Sequence, residues 1–279
     1  MPGSTLLISD IHADAGALDR ILGLAFSESF SLRYGPVEKV LNLGDVMERG
    51  YYPKEAVDRL KSLKNIRSIL GNHDEAFLQL KMLSGSDFAS ISAHGQYRKT
   101  GEYESFFQDM DLFYVDRELK LYAVHGGPLD PGVIGENIPQ PDDWLFSQTW
   151  QRISDMGFRY LDASGYHYLP EDAFESMGGI FEGDGYVIVC GHEHQEAAYV
   201  KKNGRVEDVL RRMEKSTVRL DGREVEEKRL SIAEDACYLV RLGLAGPEGY
   251  AGLSGFGNCH FGVISHDPKT LCLLSIRRD

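Results

Sequence analysis

The stretch Val40-Leu41-Asn42-Leu43-Gly44-Asp45-Val46-Met47-Glu48-Arg49-Gly50 decides how the chain is read. A short apolar run stops at a glycine, and a carboxylate follows at once. Such a run reads as a buried strand that ends in a tight, polar loop. Four other segments repeat the pattern. Thr5 to Ser9 precedes Asp10-Ile11-His12, and Ile66 to Leu70 precedes Gly71-Asn72-His73-Asp74. Leu121 to Val124 precedes His125-Gly126-Gly127, and Tyr186 to Cys190 precedes Gly191-His192-Glu193-His194. In α/β sheets, ligands gather beyond the carboxyl ends of strands, so five such clusters can converge on one site.

Helical signals lie between the strands. Residues 13–26 carry Leu18, Ile21, Leu22 and Ala25 at helical spacing. Residues 54–63 place Ala56, Val57, Leu60 and Leu63 on one face, with Pro53 at the start. Residues 75–83 and 101–110 also read as helices. Segment 131–185, rich in Gly, Pro and aromatics, is expected to cover the site with loops and short helices. Val206, Val209, Leu210 and Met213 suggest a short helix, and 218–225 a hairpin around Asp221-Gly222. Strands are expected at 237–242, 261–265 and 271–276, with a turn at Asp267-Pro268. The chain reads as α/β and as one domain over residues 1–279, with a charged, solvated excursion at about 205–230.

Composition narrows the function classes. The chain has 279 residues, 42% apolar and 26% charged, which is ordinary for a globular protein. A formal charge of −13 argues against a protein that coats long nucleic acid. It leaves room for a small anionic substrate, because bound metal reverses the potential locally. Cys190, Cys237, Cys259 and Cys272 form no CxxC pair and suit a reducing compartment. No apolar stretch is long enough to span a membrane. No signal peptide is read at the N-terminus, so a cytoplasmic location is expected.

The clusters supply Asp10, His12, Asp45, Asn72, His125, His192 and His194. Imidazole with carboxylate suits divalent first-row metals, and no thiolate is offered for a closed structural zinc site. Seven donors exceed the needs of one open site. With Asp45 as a bridge they divide into two sets of four. Two ions about 3.5–4 Å apart clamp a phosphate and generate a hydroxide between them. Arg49 is the candidate for gripping phosphate oxygens. His73 is the candidate proton donor to the leaving group, with Glu48 orienting it from behind.

The series DxH, GDxxxRG, GNHD, HGG and GHxH resembles the calcineurin-like metallophosphoesterase superfamily, over most of residues 5–195 and in the expected order. The resemblance implies a four-layer αββα sandwich with two mostly mixed sheets and a dinuclear site at its top. It implies that Asp10, His12, Asp45 and His194 hold the first metal, and Asp45, Asn72, His125 and His192 the second. It makes His73 the non-ligand catalytic histidine. Arg49 in GDxxxRG is similar to the protein Ser/Thr phosphatase and dinucleoside-tetraphosphatase branch, where an aspartate stands in place of Glu48. Residues 50–57 and the Gly191 to His194 cluster look more like small prokaryotic phosphodiesterases. That branch has a late Asn-Pro-Gly-Ser segment, to which 241–248 is a poor match. For a second phosphate-binding arginine, Arg98, Arg152 and Arg159 are the candidates.

Blander readings stand beside these. A lone DxH has no diagnostic force, and GNHD alone is often a turn. His94, His167, His260 and His266 read as surface or core residues. Tyr51, Tyr52, Trp144 and Trp150 either line a nucleobase pocket or serve the core. Residues 205–215 read as a solvated helix face. The expectation is a phosphomonoesterase acting on a phosphorylated substrate, a phosphoprotein or a nucleotide-type molecule. Its ions are Mn or Fe before Zn, Co, Ni or Mg. One enzymatic alternative is a phosphodiesterase or pyrophosphohydrolase for dinucleoside polyphosphates or cyclic nucleotides. The other class is a non-catalytic scaffold. The sequence assigns no oligomeric state.

Overall fold

A computed structural model describes residues 2–83, 88–135, 143–250 and 257–278. Its first half holds β1 (Ser4–Ile8), α1 (Ala15–Ala25), α2 (Glu28–Tyr34), β2 (Val37–Asn42), α3 (Pro53–Ser62) and β3 (Ile66–Ser68). There follow α4 (Asn72–Leu78), α5 (Phe88–Thr100), α6 (Glu104–Gln108), β4 (Phe113–Asp116), β5 (Leu121–Val124) and α7 (Pro131–Gly135). The middle contains β6 (Arg152–Ile153), β7 (Tyr160–Asp162), β8 (Gly165–Tyr168), α8 (Pro170–Ser176) and β9 (Val187–Cys190). The chain ends through β10 (Ala197–Lys202), β11 (Arg205–Asp208), β12 (Glu214–Leu220), β13 (Arg223–Ser231), β14 (Cys237–Arg241), β15 (Asn258–His266) and β16 (Lys269–Arg277).

Two mixed sheets lie face to face. One runs β12-β13-β16-β15-β1-β2-β3 and the other β11-β10-β14-β9-β5-β4. Between them sits an apolar layer drawn from both, including Leu7, Leu41, Ile264 and Leu273 from the first and Ala123, Val189 and Val240 from the second. The outer face of the first sheet is covered by α1 to α6, through Leu18, Ile21, Phe30, Leu60, Phe77 and Phe107. The outer face of the second carries α8 and a small sheet of order β6-β8-β7, through Phe174, Tyr166 and Tyr168. The layers are therefore αββα, as the resemblance implied, with the fourth layer partly strand.

The parallel pairs fix the site. β1 pairs with β2 and β2 with β3 in parallel, so their carboxyl ends share one edge. In the facing sheet β5 and β9 are also parallel. The five motifs follow directly from these five strands. Among the helices, α1 and α3 bury the residues whose spacing predicted them, except Leu63, which follows α3 and is half-buried.

Several expectations need correction. The helix at 75–83 is α4, which starts earlier because Asn72 already has helical geometry, and stops at Leu78. The helix at 101–110 is shortened to α6, and the longer α5 before it was not expected. α5 lacks a clear apolar stripe, since its buried residues are Ser90, Ala93 and His94. The helix at 206–213 is instead β11 followed by a single 3-10 turn at Leu210–Arg212. Alternating polar residues there pair with β10, so sheet pairing overrides the helical spacing. The charged excursion is the hairpin β12–β13, solvated on β12 but joined to the first sheet through β16. The 131–185 segment holds loops and short helices as expected, plus the small sheet; its residues 136–142 lie outside the described ones.

Leu41 belongs to the apolar layer between the sheets, where a deleted side chain leaves a cavity. Leu41→Ala, at a fully buried position, is expected to lower the unfolding free energy by about 2–5 kcal/mol in urea denaturation.

Candidate metal centre

Three of the motifs turn sharply after their strands. Asp10, His12, Asp45, His192 and His194 all have positive φ, between 46° and 72°. That region is rare for residues with a Cβ and costs energy, so the surrounding contacts must enforce it. The contacts are visible. The Asp10 and His12 amides donate to the carbonyls of Gly44 and Asp45. The His192 amide donates to Asp10 Oδ2 at 3.0 Å, which ties the second sheet to the first. The Gly191 amide donates to the His125 carbonyl. A Cβ on Gly191 would stand 1.8 Å from Ser9 Oγ, so only glycine permits this approach.

Two donor groups result. Asp10, His12, Asp45 and His194 form one and Asp45, His125 and His192 the other; within each, the ligand-type atoms lie within 4.8 Å of one another. Asn72 Oδ1 joins the second, 3.1 Å from His125 Nε2. Asp45 belongs to both. Its Oδ1 is 3.4 Å from His125 Nε2 and its Oδ2 is 3.8 Å from His12 Nε2. His12 Nε2 and His194 Nε2 approach to 3.1 Å. The far ring nitrogens are anchored: His125 Nδ1 donates to the Leu43 carbonyl at 2.6 Å and His12 Nδ1 to Met47 at 3.2 Å. That anchoring aims each Nε2 lone pair inward, as metal-binding histidines require.

The donor set fits divalent cations. Asp10 Oδ1 and both ring nitrogens of His192 are buried without a hydrogen-bond partner, an arrangement that protein groups alone rarely tolerate. Burial works against charge on Asp45, but His125 and His73 outweigh it and hold the carboxyl well below the usual range. Burial likewise opposes charge on His125, yet Asp45 beside it lifts the value to about 9. Burial first, and His73 next to it, push His12 well down. Burial and then Arg152 do the same to His192. The field that holds a proton on His125 is the field a cation would feel.

A second row of residues stands beside the donors. His73 Nδ1 lies 2.7 Å from Glu48 Oε2, and its Nε2 is 3.4 Å from Arg49 Nη2. The Arg49 guanidinium sits 4.9 Å above the ring of Tyr250. His94 Nε2 lies 2.8 Å from Glu48 Oε1. Burial pushes the Glu48 carboxyl up, but the hydrogen bonds from His73 and His94 outweigh it and hold it at about 2. Asp45, Asn72, His192 and His194, with Arg49, His73 and Tyr250, border a cleft of about 540 Å³ that is also lined by Trp144, Trp150, Arg152, Ala163 and Ser164.

All ten residues singled out as ligands or catalysts are therefore brought together. Of the three candidate arginines, Arg152 alone lines the cleft. Arg159 pairs with Asp172, and Arg98 donates to the Leu80 carbonyl on the surface. Trp144 and Trp150 are in the cleft, their rings 4.5 Å apart, whereas Tyr51 and Tyr52 are exposed and outside it. His260 pairs with Glu196, His266 with Thr5, and His167 stacks on Tyr160, in keeping with structural roles.

Sequence reading missed three residues. His94 carried no motif. Tyr250 follows the 241–248 stretch, which lies beside the first motif because the Ala245 and Gly246 amides donate to Ser9 and Asp10. Tyr250 places its hydroxyl 3.4 Å from His194 Nε2. Asp74 was in plain view in GNHD. It accepts from the amides of Gly71, Val46 and Met47 and so locks the Asp45 loop. Burial, and then Asp45, raise its carboxyl to about 7.

The sequence pattern of the calcineurin-like phosphoesterase family matches residues 3–196. The chain belongs to that family. Its members are metal-dependent hydrolases of phosphate esters, and the paired His/Asp donor groups accord with this. No curated protein matches the chain in sequence. Solved structures share the fold. A metallophosphoesterase from Sphaerobacter thermophilus aligns with a TM-score of 0.60 at 18% identity, over 100% of this chain and 90% of that one. A protein serine/threonine phosphatase from Saccharomyces cerevisiae gives 0.58 at 15%, over 100% and 81%. A protein of Pyrococcus horikoshii gives 0.57 at 13%, over 99% and 88%. Among the described residues of this phosphoesterase, no helix is long and apolar enough to cross a membrane.

Glu48 makes acid stability testable. Its ordinary value is 4.5 and its folded value about 2, so protonation favours the unfolded chain. Its contribution is complete above about pH 4.5 and fades as pH falls towards 2. Glu48→Gln is expected to cost on the order of 3 kcal/mol at neutral pH and to flatten the acid limb of stability, read by urea denaturation at stepped pH.

Proposed function

We propose that this phosphoesterase is a dinuclear phosphomonoesterase of the protein serine/threonine phosphatase type. The observation that carries the reading is the row Arg49–His73–Glu48 at the rim of the cleft beside Asp45. In this reading Asp10, His12, Asp45 and His194 hold one ion, and Asp45, Asn72, His125 and His192 the other. Ions held there, Mn or Fe by donor type, would supply charge neutralisation for the phosphate and a lowered pKa for bound water.

The chain's own groups do the rest. Arg49 presents parallel N–H groups to phosphate oxygens, and its stacking on Tyr250 keeps the fork directed into the cleft. Arg152, which also lines the cleft, supplies a second guanidinium; its Nε already donates to the Ser164 carbonyl at 2.7 Å. His73 engages Glu48 through Nδ1, so Nε2 is the ring nitrogen that gives a proton to the leaving oxygen. Glu48 holds that ring and stabilises its charged form, the role a carboxylate plays behind other catalytic histidines. Residues 1–279 act in this reading as one domain, since the layer between the sheets runs from Leu7 to Leu273.

One observation favours a second reading. Trp144 and Trp150 form an edge-to-face pair on the cleft wall, and Trp150 lies 6.2 Å from His192. An aromatic wall beside a phosphate site suits a nucleobase, and so a dinucleoside polyphosphate or a cyclic nucleotide. The scaffold alternative finds no support in a chain that retains every donor and His73.

With manganese present, turnover of a phosphoserine peptide and of para-nitrophenyl phosphate is expected to exceed that of bis-para-nitrophenyl phosphate and diadenosine tetraphosphate. The reverse order would overturn the first reading in favour of the second. His73→Gln is expected to lower kcat about 10²- to 10⁴-fold with both ions retained. Asp45→Asn removes the shared donor, and metal analysis should find less than two ions per chain.

A further inference from the structure

We infer that His94 is a positioning residue that, through Glu48, fixes the ring of His73 for proton transfer to the leaving group. The inference rests on the reading of His73 given above. Glu48 is 2% exposed and His94 3%. His73 Nδ1 meets one oxygen of the carboxylate and His94 Nε2 the other, at 2.7 Å and 2.8 Å. Two donors on separate oxygens stop the carboxylate from turning about its last torsion. A glutamate has one more rotatable bond than an aspartate, so it needs such a second tether to hold a partner ring still.

His94 is itself held. Its ring packs against Phe77 with centroids 4.6 Å apart, and Phe77 packs on Tyr97 and Phe107. Its Nδ1 is buried without a hydrogen-bond partner. Glu48 Oε1 is an acceptor, so the proton in that contact is carried on Nε2 of His94. His94 therefore donates to one carboxylate oxygen and leaves the other to His73. α5 reinforces the same loop one residue on, where Ser90 Oγ accepts the Arg49 amide at 3.1 Å. Glu48 and Arg49 both have left-handed backbone, φ 67° and 70°, and α5 supplies a contact to each. His94 does not line the cleft, so it acts through Glu48 and not on the substrate.

The test separates a donor from a space-filler. His94→Leu keeps bulk and loses the hydrogen bond; His94→Gln keeps a donor near the Nε2 position. Both are assayed as the metal-loaded chain on phenyl phosphate, whose leaving group needs a proton, and on para-nitrophenyl phosphate, whose leaving group needs it far less. His94→Leu is expected to lose about tenfold or more in kcat on phenyl phosphate, with KM and metal content unchanged and a much smaller loss on the nitro ester. His94→Gln is expected to restore most of the loss. An equal loss on both esters, no loss on either, or a glutamine variant no better than leucine would each overturn the proposal. If leucine abolishes folding, the glutamine variant decides: wild-type ester selectivity supports the proposal, and a loss equal on both esters overturns it. His73→Gln is the reference. If it shows no leaving-group dependence, the reading of His73 fails; if it does and His94→Leu does not, only the role of His94 fails.

Discussion

One carboxylate, Asp45, sits where everything meets. Its Oδ1 accepts the His73 amide at 2.9 Å and faces His125, while Oδ2 faces His12. It belongs to both donor groups and is 1% exposed. A second carboxylate, Asp10, is buried with it. Two desolvated negative charges in one apolar molecule are costly unless cations or strong donors face them. The surrounding imidazoles, the amides and the left-handed turns are the fold's answer. So is Asp74, which grips the loop behind Asp45 and itself moves towards neutrality under that field.

This also explains what was legible. The five motifs could be read because each chemical residue follows a strand at once, and strands announce themselves by short apolar runs. The ligand types then limited the chemistry without any tertiary information. The strands beyond the motifs were legible where burial on both faces leaves a nearly continuous apolar run, as in β14 and β16. The order of strands was not, since β1 finds its neighbours in β2 and in the distant β15.

What escaped has a common cause. α5 buries only Ser90, Ala93 and His94, so its hydrophobic pattern is nearly silent. His94 matters through a contact with Glu48 across 46 positions, which no spacing rule anticipates. Tyr250 reaches His194 across 56 positions. β11 read as a helix because Val206, Val209, Leu210 and Met213 have helical spacing, which pairing with β10 overrides. The aromatic residues divide the same way: Trp144 and Trp150 reach the cleft, while Tyr51 and Tyr52, which sit closer to a motif, point away.

The pairing of β1 with β15 bears on how the protein matures. β1 leads into Asp10 and His12, yet one of its two ladders is completed only by residues 258–266. On that side the strand stays unpaired until a segment far along the chain docks on it. The metal-binding edge is therefore held from both sides only once that distant segment has docked. Ions bound at that edge would serve as a seal on a completed sheet, not as a template for it.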